Sequence, residues 1–482
     1  MTCSKKMRFA LIALLTTLSL PVILTAQDHP APSHQHHHYQ LIDMGTLGGP
    51  NSYMSGPALQ ILNRRGALAG YGNTATPNPN LGCYVPFNAP DCFVENPFVW
   101  ENGVVAALPV LPGGLNGQTV GISSSGLIVG GSENGLIDPT IGLPESHAVL
   151  WTKDHQIIDL GTVTGGTESL AIANNSRGQA VGFSNNDVPD SFSFLGLPTQ
   201  TRAFLWQNGA MQDLGTLGGP DALAQDLNER GQVAGWSYTN SIPNSTTGIP
   251  TQDPFLWQNG TMRDIGTLGG TVGFAYAVNN RGQVAGISNL DGDNVFHPFF
   301  WDKKQGLKDL GTLGGDSGMA YSINEAGDIV GGADLPGTKD HHAFLWRHGV
   351  MTDLGEPAGD ECSDAFAINS KGQIVGDSVN PCANGGISGH TWLWENGGPP
   401  VDLDTLIFNG SGLFMLDAFY INDRGEIAGD AVPAGDPYQH AVLLIPCDEN
   451  HPGVDGCDYS LVDAAAAQSP ARSEERRVGK EC

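Results

Sequence analysis

Three short landmarks recur eight times in a fixed order, and this internal repeat constrains the fold more than any other feature of the 482 residues. The first is Asp-Leu-Gly followed by Thr-Leu-Gly-Gly, beginning at Asp43, Asp159, Asp213, Asp264 and Asp309, with degraded copies at Ala107, Asp353 and Asp402. The second is Asn-x-x-Gly-x-x-x-Gly, beginning at Asn63, Asn175, Asn228, Asn279, Asn324, Asn369 and Asn422, with Ser123 standing in once. The third is a Phe-Leu-Trp type triplet ending at Trp100, Trp151, Trp206, Trp257, Trp301, Trp346 and Trp394, and at Leu444 in the last copy. Successive starts of the second landmark lie 60, 52, 53, 51, 45, 45 and 53 residues apart, so insertions vary while the landmarks persist. Seven of the nine Trp share one repeat position, which chance placement would not produce.

Each repeat reads as four short strands. From Ala275 to Gly286 an apolar run reaches Asn279, turns over polar residues and resumes after Gly282, the pattern of a hairpin. Asn suits the first turn position because its side chain bonds the backbone ahead, and Gly supplies the positive φ. The β-favouring run Pro298-Phe299-Phe300-Trp301 and, after a turn, Leu307 to Leu310 give strands three and four. Four antiparallel strands per repeat of this length match a propeller blade. The first copy, Tyr39 to Gly45, supplies only a fourth strand, and the last ends on a third strand, His440 to Pro446. The expected fold is therefore an all-β propeller of about eight four-stranded blades, with the N-terminal strand completing the last one and removing the open edge. A seven-bladed propeller and a linear β-solenoid are the alternatives.

The His342-Ala343-Phe344-Leu345-Trp346 run, the Asp-Leu-Gly-Thr-Leu-Gly-Gly boxes and the Asn-x-x-Gly-x-x-x-Gly hairpins resemble the HAF family of probable extracellular repeat proteins of bacteria. The resemblance covers residues 39 to 446 and implies a secreted β-repeat protein. It carries over no reaction, cofactor or catalytic residue.

The ends differ in composition from the repeats. Lys5, Lys6 and Arg8 precede the apolar run Phe9 to Leu24, and Ala26 offers a small residue before a cut. Residues 1–26 are thus expected to be a secretory signal peptide, leaving no transmembrane segment after its removal. Residues 27–38 read as a His-rich spacer, 39–446 as the propeller, 447–471 as a Cys-stapled segment and linker, and 472–482 as an adapter-derived tail. Of eight Cys, six fall into sequence-local pairs: Cys83 with Cys92, Cys362 with Cys382, Cys447 with Cys457. Pairing by proximity predicts three disulfides and an oxidising compartment, whereas Cys-x-x-Cys metal spacing is missing.

A formal charge of -28 gives no basic stripe for nucleic acid or an anionic membrane surface. The glycine-rich boxes lack the Lys-Ser/Thr and helix of a phosphate cradle, and read instead as connections between blades. The repeated Asp is expected to cap a turn rather than line a channel. His147, His297, His342, His390 and His440 precede the third strand where other copies have Asn96, Arg202 or Asp253; a metal-binding ring is one reading, hydrogen bonding within each blade the plainer one. The loop Asp291 to Asn294 is oxygen-rich but lacks the remaining ligands of an EF-hand. A mature N-terminus Gln27-Asp28-His29 could enclose Cu(II) or Ni(II) in a square plane, with His34, His36, His37 and His38 adding affinity; a polar spacer with a cyclised Gln is the alternative.

Two functions are compatible with these residues. One is a secreted, non-catalytic binding or scaffold module for an extracellular or surface protein or glycan, monomeric and with no cofactor named. The other is a hydrolase or lyase with a carboxylate or His site at a channel mouth. The insertions near residues 72 to 96 and 236 to 252 are where a propeller varies its binding surface.

Overall fold

In a computed structural model the described residues are 35–463, apart from 58, 81–91, 339, 358, 383–388, 396, 409–410 and 436. The signal-peptide segment and the tail lie outside them, as do His29, His34 and Cys83. The chain divides into Met1–Ser33 and His34–Cys482, and the latter holds the repeats. They fold as expected into eight four-stranded antiparallel units, two of which are linked by a single parallel contact between Gln252 on the third strand of one and Val272 on the first strand of the next. In blade 5, for example, Gly269–Val278, Val284–Leu290, Phe296–Asp302 and Gly306–Asp309 pair in sequence order. In blade 8 the order is Leu413–Ile421, Ile427–Pro433, His440–Pro446 and then Tyr39–Asp43, whose register runs from Tyr39 opposite Pro446 to Asp43 opposite Val442. The N-terminal strand therefore completes the last blade.

Alternation along each third strand explains the aromatic triplets. Phe299 and Trp301 enter the core shared with blade 4, while Phe300 between them enters the core shared with blade 6. Eight such cores lie between consecutive blades, and one of them unites Met54, Leu62, Leu68 and Phe98 of blade 1 with Ala428, Ala441 and Leu443 of blade 8. Burying each large side chain contributes about 2–3 kcal/mol. The first and last repeats are thus joined by a sheet and by a core.

The Asn landmark has two jobs. Asn279 Oδ1 accepts from the amides of Arg281 and Gln283 at 2.9 and 3.2 Å, which folds the turn. Its Nδ2 donates to the Asn324 carbonyl of the next blade at 3.0 Å. The same bond runs from Asn324 to Asn369, from Asn369 to Asn422 and from Asn422 to Asn63, the last at 2.9 Å across the seam. Ser123 has no amide to offer, and there Asn174 of blade 3 donates back to the Leu127 carbonyl at 2.8 Å.

The second glycine of the landmark answers a steric demand. The first strand bulges between Ala275 and Ala277, and a Cβ on Gly286 would sit 1.9 Å from the Phe274 carbonyl oxygen. Gly182, Gly235, Gly331, Gly376 and Gly429 face the equivalent oxygen at 1.8–2.0 Å.

Structure begins earlier than the boundary expected at Tyr39. Gln35–His37 pairs with Leu461–Asp463 as a small two-stranded sheet, so the end of the His-rich segment is ordered against the segment that follows the repeats. That segment is stapled by Cys447–Cys457, and Cys362–Cys382 staples blade 7, both as expected. Cys92 is also disulfide-bonded. Among the described residues no helix is long and apolar enough to cross a membrane.

Candidate functional site

Strand direction separates two faces. First strands run toward the Asn turns and second strands run away from them, so one face carries the short repeated turns and the other the variable loops between second and third strands. The turn face opens on a cavity of about 370 Å³ at the mouth of the channel. Its rim is the residue that follows each landmark Asn. Glu229 accepts the Ser176 amide at 3.1 Å, Glu325 accepts the Asn280 side-chain amide at 2.6 Å, and Asp423 accepts the Ser370 amide at 2.9 Å and pairs with Arg64 at 3.3 Å. Deeper in, burial pushes the Asp226 carboxyl up to about 6, but its two oxygens accept the Leu227 and Val278 amides at 2.7 Å each. These carboxylates tie blade to blade around the ring.

The channel wall is asymmetric. Three residues before the landmark Asn, blades 5 to 8 place Tyr276, Tyr321, Phe366 and Phe419, all half-buried. Together with Trp236 and Phe274 they form an arc of ring contacts: Phe274 to Tyr276 at 6.0 Å, Tyr321 to Phe366 at 5.4 Å, Phe366 to Phe419 at 6.4 Å. Burial raises the Tyr276 hydroxyl to about 12. Blades 2 and 3 have Val120 and Ile172 at the same position. These join Leu170, Phe183 and Leu223 in an apolar cluster against which Phe194 and Leu195 of the blade-3 loop pack. The three landmarks do not include this arc, although an aromatic at a fixed offset from Asn in four consecutive repeats is a signal for it.

On the loop face a third-strand His and a fourth-strand Asp meet within blades 2, 5, 6 and 8. His147 Nδ1 lies 3.0 Å from Asp159, His297 2.9 Å from Asp309, His342 2.9 Å from Asp353 and His440 3.0 Å from Asp43. Arg202 takes the same place opposite Asp213 at 2.9 Å. Each of these Asp also accepts the amide two residues ahead, as Asp309 accepts that of Gly311 at 2.7 Å, so the repeated Asp caps a turn as expected. In blade 7 His390 instead reaches Asp360 at 2.7 Å. Blade 4 puts Asp253 opposite Asp264, and burial followed by that neighbouring charge pushes the Asp253 carboxyl to about 7.

Second strands differ sharply in length. Those of blades 1 to 4, Leu68–Pro77, Ile128–Ile137, Ala180–Pro189 and Val233–Pro243, have 10, 10, 10 and 11 residues. Those of blades 5 to 8 have 7, 6, 6 and 7. Those of blades 2 to 4 continue as ribbons with their own motif: Asn134, Asn186 and Asn240 accept the amide two residues on, and a loop-closing Asp138, Asp190 or Asn244 stands four residues after each Asn. Between them project Leu136, Ile137, Val188 and Ile242, exposed by 60, 59, 45 and 76%. Behind the blade-3 ribbon Asp221 accepts the Phe194 and Thr201 amides, and burial and the charge of Asp190 raise its carboxyl to about 7. Of the insertions singled out in the sequence, residues 236 to 252 belong to the ribbon of blade 4, and the described ends of the stretch from 72 to 96 to that of blade 1, residues 81–91 lying outside the described ones.

Of the described residues in the His-rich segment, two have partners in the fold. His36 is buried and bonds Glu395 at 2.9 Å; His38 lies 3.3 Å from the Leu406 carbonyl and 3.8 Å from Asp458; His37 is exposed. Asp293 of the oxygen-rich loop accepts the Thr271 amide, the Thr271 hydroxyl and the Asn289 amide, so it braces its own blade. His341, Cys362 and Cys382 bring three ligand atoms within 4.8 Å of one another, but the two sulfurs are joined as a disulfide and only the imidazole remains a donor.

No family model matches the chain, and no curated protein does. Among solved structures it is similar to the β-propeller domain of the trilobed protease from Pyrococcus furiosus, at 10% identity and a TM-score of 0.40, over 76% of this chain and 96% of that one. It is also similar to the acylaminoacyl peptidase of Pyrococcus horikoshii, at 12% identity and a TM-score of 0.38, over 81% of this chain and 62% of that one. A third similarity is to a puromycin hydrolase, at 12% identity and a TM-score of 0.39, over 82% of this chain and 62% of that one.

Proposed function

We propose that the chain is an exported HAF-type repeat propeller that acts as a non-catalytic binding or scaffold module, presenting the ribbons of blades 1 to 4 to an extracellular or surface protein or glycan. The observation that carries this reading is the asymmetry of the loop face. Half the ring extends its second strands, and those of blades 2 to 4 set aliphatic side chains at their tips, while the other half keeps its second strands short. A repeat that served only to close a ring has no use for exposed Ile242 and Leu136, and side chains of this kind on variable loops mark interaction sites. Two disulfides support an oxidising, extracytoplasmic location. The engagement of the mouth carboxylates by backbone amides favours a structural role for the turn face over a hydrolytic one. The test is binding of the purified protein to immobilised surface polysaccharides and extracellular proteins, with Leu136→Ser, Val188→Ser and Ile242→Ser combined. Binding that is unaffected by the three substitutions refutes the assignment to the ribbons.

A further inference from the structure

On the loop face, between blades 6 and 7, three exceptions to the repeat meet around the Cys362–Cys382 disulfide. Near the start of the first strand, five other blades place an oxygen that accepts an amide of the preceding blade. Asn51 takes it from Gln439, Asn116 from Glu95, Glu168 from Ser146, Asp221 from Thr201 and Ser317 from Phe296, at 2.9–3.4 Å. In blade 7 a sulfur stands there instead, and Cys362 Sγ accepts the His341 amide at 3.1 Å. The second exception is His341, the one imidazole among these six donors. The third is Asp364, two residues after Cys362, where the other five blades have Tyr53, Gln118, Leu170, Leu223 and Met319.

The His341 imidazole joins the three. Its Nε2 lies 3.1 Å from Asp364 Oδ2 and its Nδ1 3.7 Å from Cys382 Sγ. The imidazole and both sulfurs lie within 4.8 Å of one another. The Asp364 hydrogen bond, opposed by burial and helped by the charges of Asp364, Asp334 and Asp340, raises His341 above the ordinary imidazole value. The imidazolium, with a proton on each nitrogen, is the form that suits both neighbours. Each sulfur thus has one donor, and both donors belong to His341. A bonded sulfur is a weak acceptor and gains little from them, whereas a thiolate gains much.

We propose that Cys362–Cys382 is an exchange-active disulfide that oxidises a dithiol through a mixed disulfide on Cys382. Cys382 is half-buried in the loop after the second strand and Cys362 is fully buried, so an incoming thiolate attacks Cys382 Sγ. A sulfur–sulfur bond forms there, the Cys362–Cys382 bond breaks, and its electron pair leaves on Cys362 Sγ, where the His341 amide receives it. The second thiolate of the dithiol then attacks the first, the dithiol departs as a disulfide, and Cys382 leaves as a thiolate that takes the Nδ1 proton of His341. Two electrons and two protons pass from the dithiol to the two cysteines, and His341 recovers its proton from solvent. His341 is the catalytic residue, and Asp364, which acts through it, the positioning residue. The site stands outside the ribbons of blades 1 to 4, so the reaction is independent of what they bind.

Cys447–Cys457 is the internal control: it too joins a buried to a half-buried sulfur, but among the described residues no side chain donates to either. The purified full chain is treated with dithiothreitol, quenched with iodoacetamide at intervals and mapped by mass spectrometry. Cys362–Cys382 should open at least about tenfold faster than Cys447–Cys457, and glutathione, a monothiol, should be trapped on Cys382. Per thiolate of the reagent, the rate should fall as pH rises through the titration of His341, which Asp364, Asp334 and Asp340 face. His341→Gln keeps the backbone amide, and should flatten that profile and slow opening by about tenfold or more. Asp364→Asn should move the fall to lower pH, and decides the matter should His341→Gln fail to fold. Equal opening of the two disulfides, glutathione trapped on Cys362, or a pH profile unchanged in the variants overturns the proposal.

Discussion

Replacing Gly286 by Ala is the sharpest structural perturbation available. The added Cβ would lie 1.9 Å from the Phe274 carbonyl oxygen and 3.0 Å from the Ala275 Cα, both backbone atoms of the bulged first strand. Relief requires the two innermost strands of blade 5 to part by roughly an ångström, which overpacks their surroundings at about 1–3 kcal/mol. It also weakens one or two ladder hydrogen bonds at about 1 kcal/mol each. The expected cost is therefore about 3–4 kcal/mol. Gly266 provides the control, because its φ is +79° but no atom lies within 4 Å of the methyl group that Ala would add. Gly266→Ala should cost only the left-handed backbone penalty, about 1–2 kcal/mol. Urea unfolding followed by tryptophan fluorescence measures both, read as a fall in midpoint at constant slope. A Gly286→Ala variant that loses no more than Gly266→Ala would refute the close-approach account of the landmark.

Asn279→Asp keeps the turn acceptor but sets an oxygen against the Asn324 carbonyl in place of a donor at 3.0 Å, and should cost about 2 kcal/mol in the same unfolding assay. Phe299→Ala empties a fully buried site between blades 4 and 5 and should cost about 3–5 kcal/mol. For Asp253 the folded state holds its proton up to about pH 7. The native state therefore binds more protons than the unfolded one between about pH 4 and 7, and stability falls as pH rises through that window. Asp253→Asn should remove that fall and gain about 1 kcal/mol at pH 8, with no gain at pH 4, as thermal unfolding across the range would show. Reducing Cys362–Cys382, which closes a separation of 20 residues, should lower stability by about 3 kcal/mol, measured as Tm with and without a thiol reductant.

Blade architecture was legible because a propeller writes its constraints locally. Asn279 folds its own turn, Gly286 clears its own bulge, and the 45 to 60 residue spacing repeats both often enough to be seen. The third-strand His were also readable, since their exchange for Arg202 opposite Asp213 follows charge within one blade. Side chains brought together from different blades were not. Glu168 stands at a position held elsewhere by Asn116, Asp221 and Ser317, and nothing in its sequence neighbourhood shows that the charges of Asp138, Glu145 and Glu133 act on it. His36 likewise read as part of a loose His-rich run, because its partner Glu395 is 359 residues away. The ribbons lay between, as insertions whose location was readable while their extended form and exposed tips were not.

The most direct test of the binding account compares two exposed sets of apolar side chains on one folded protein. Leu136, Val188 and Ile242 lie at the ribbon tips, whereas Val104 and Val350, exposed by 65 and 63%, lie on fourth strands at the outer edge. Each set is changed to Ser, and affinity for a bound surface polysaccharide or protein is measured by biolayer interferometry. Loss of affinity on changing the ribbon set, by about tenfold or more, with the edge set unchanged, is the predicted result. Affinity lost through the edge set and kept through the ribbon set would contradict the account.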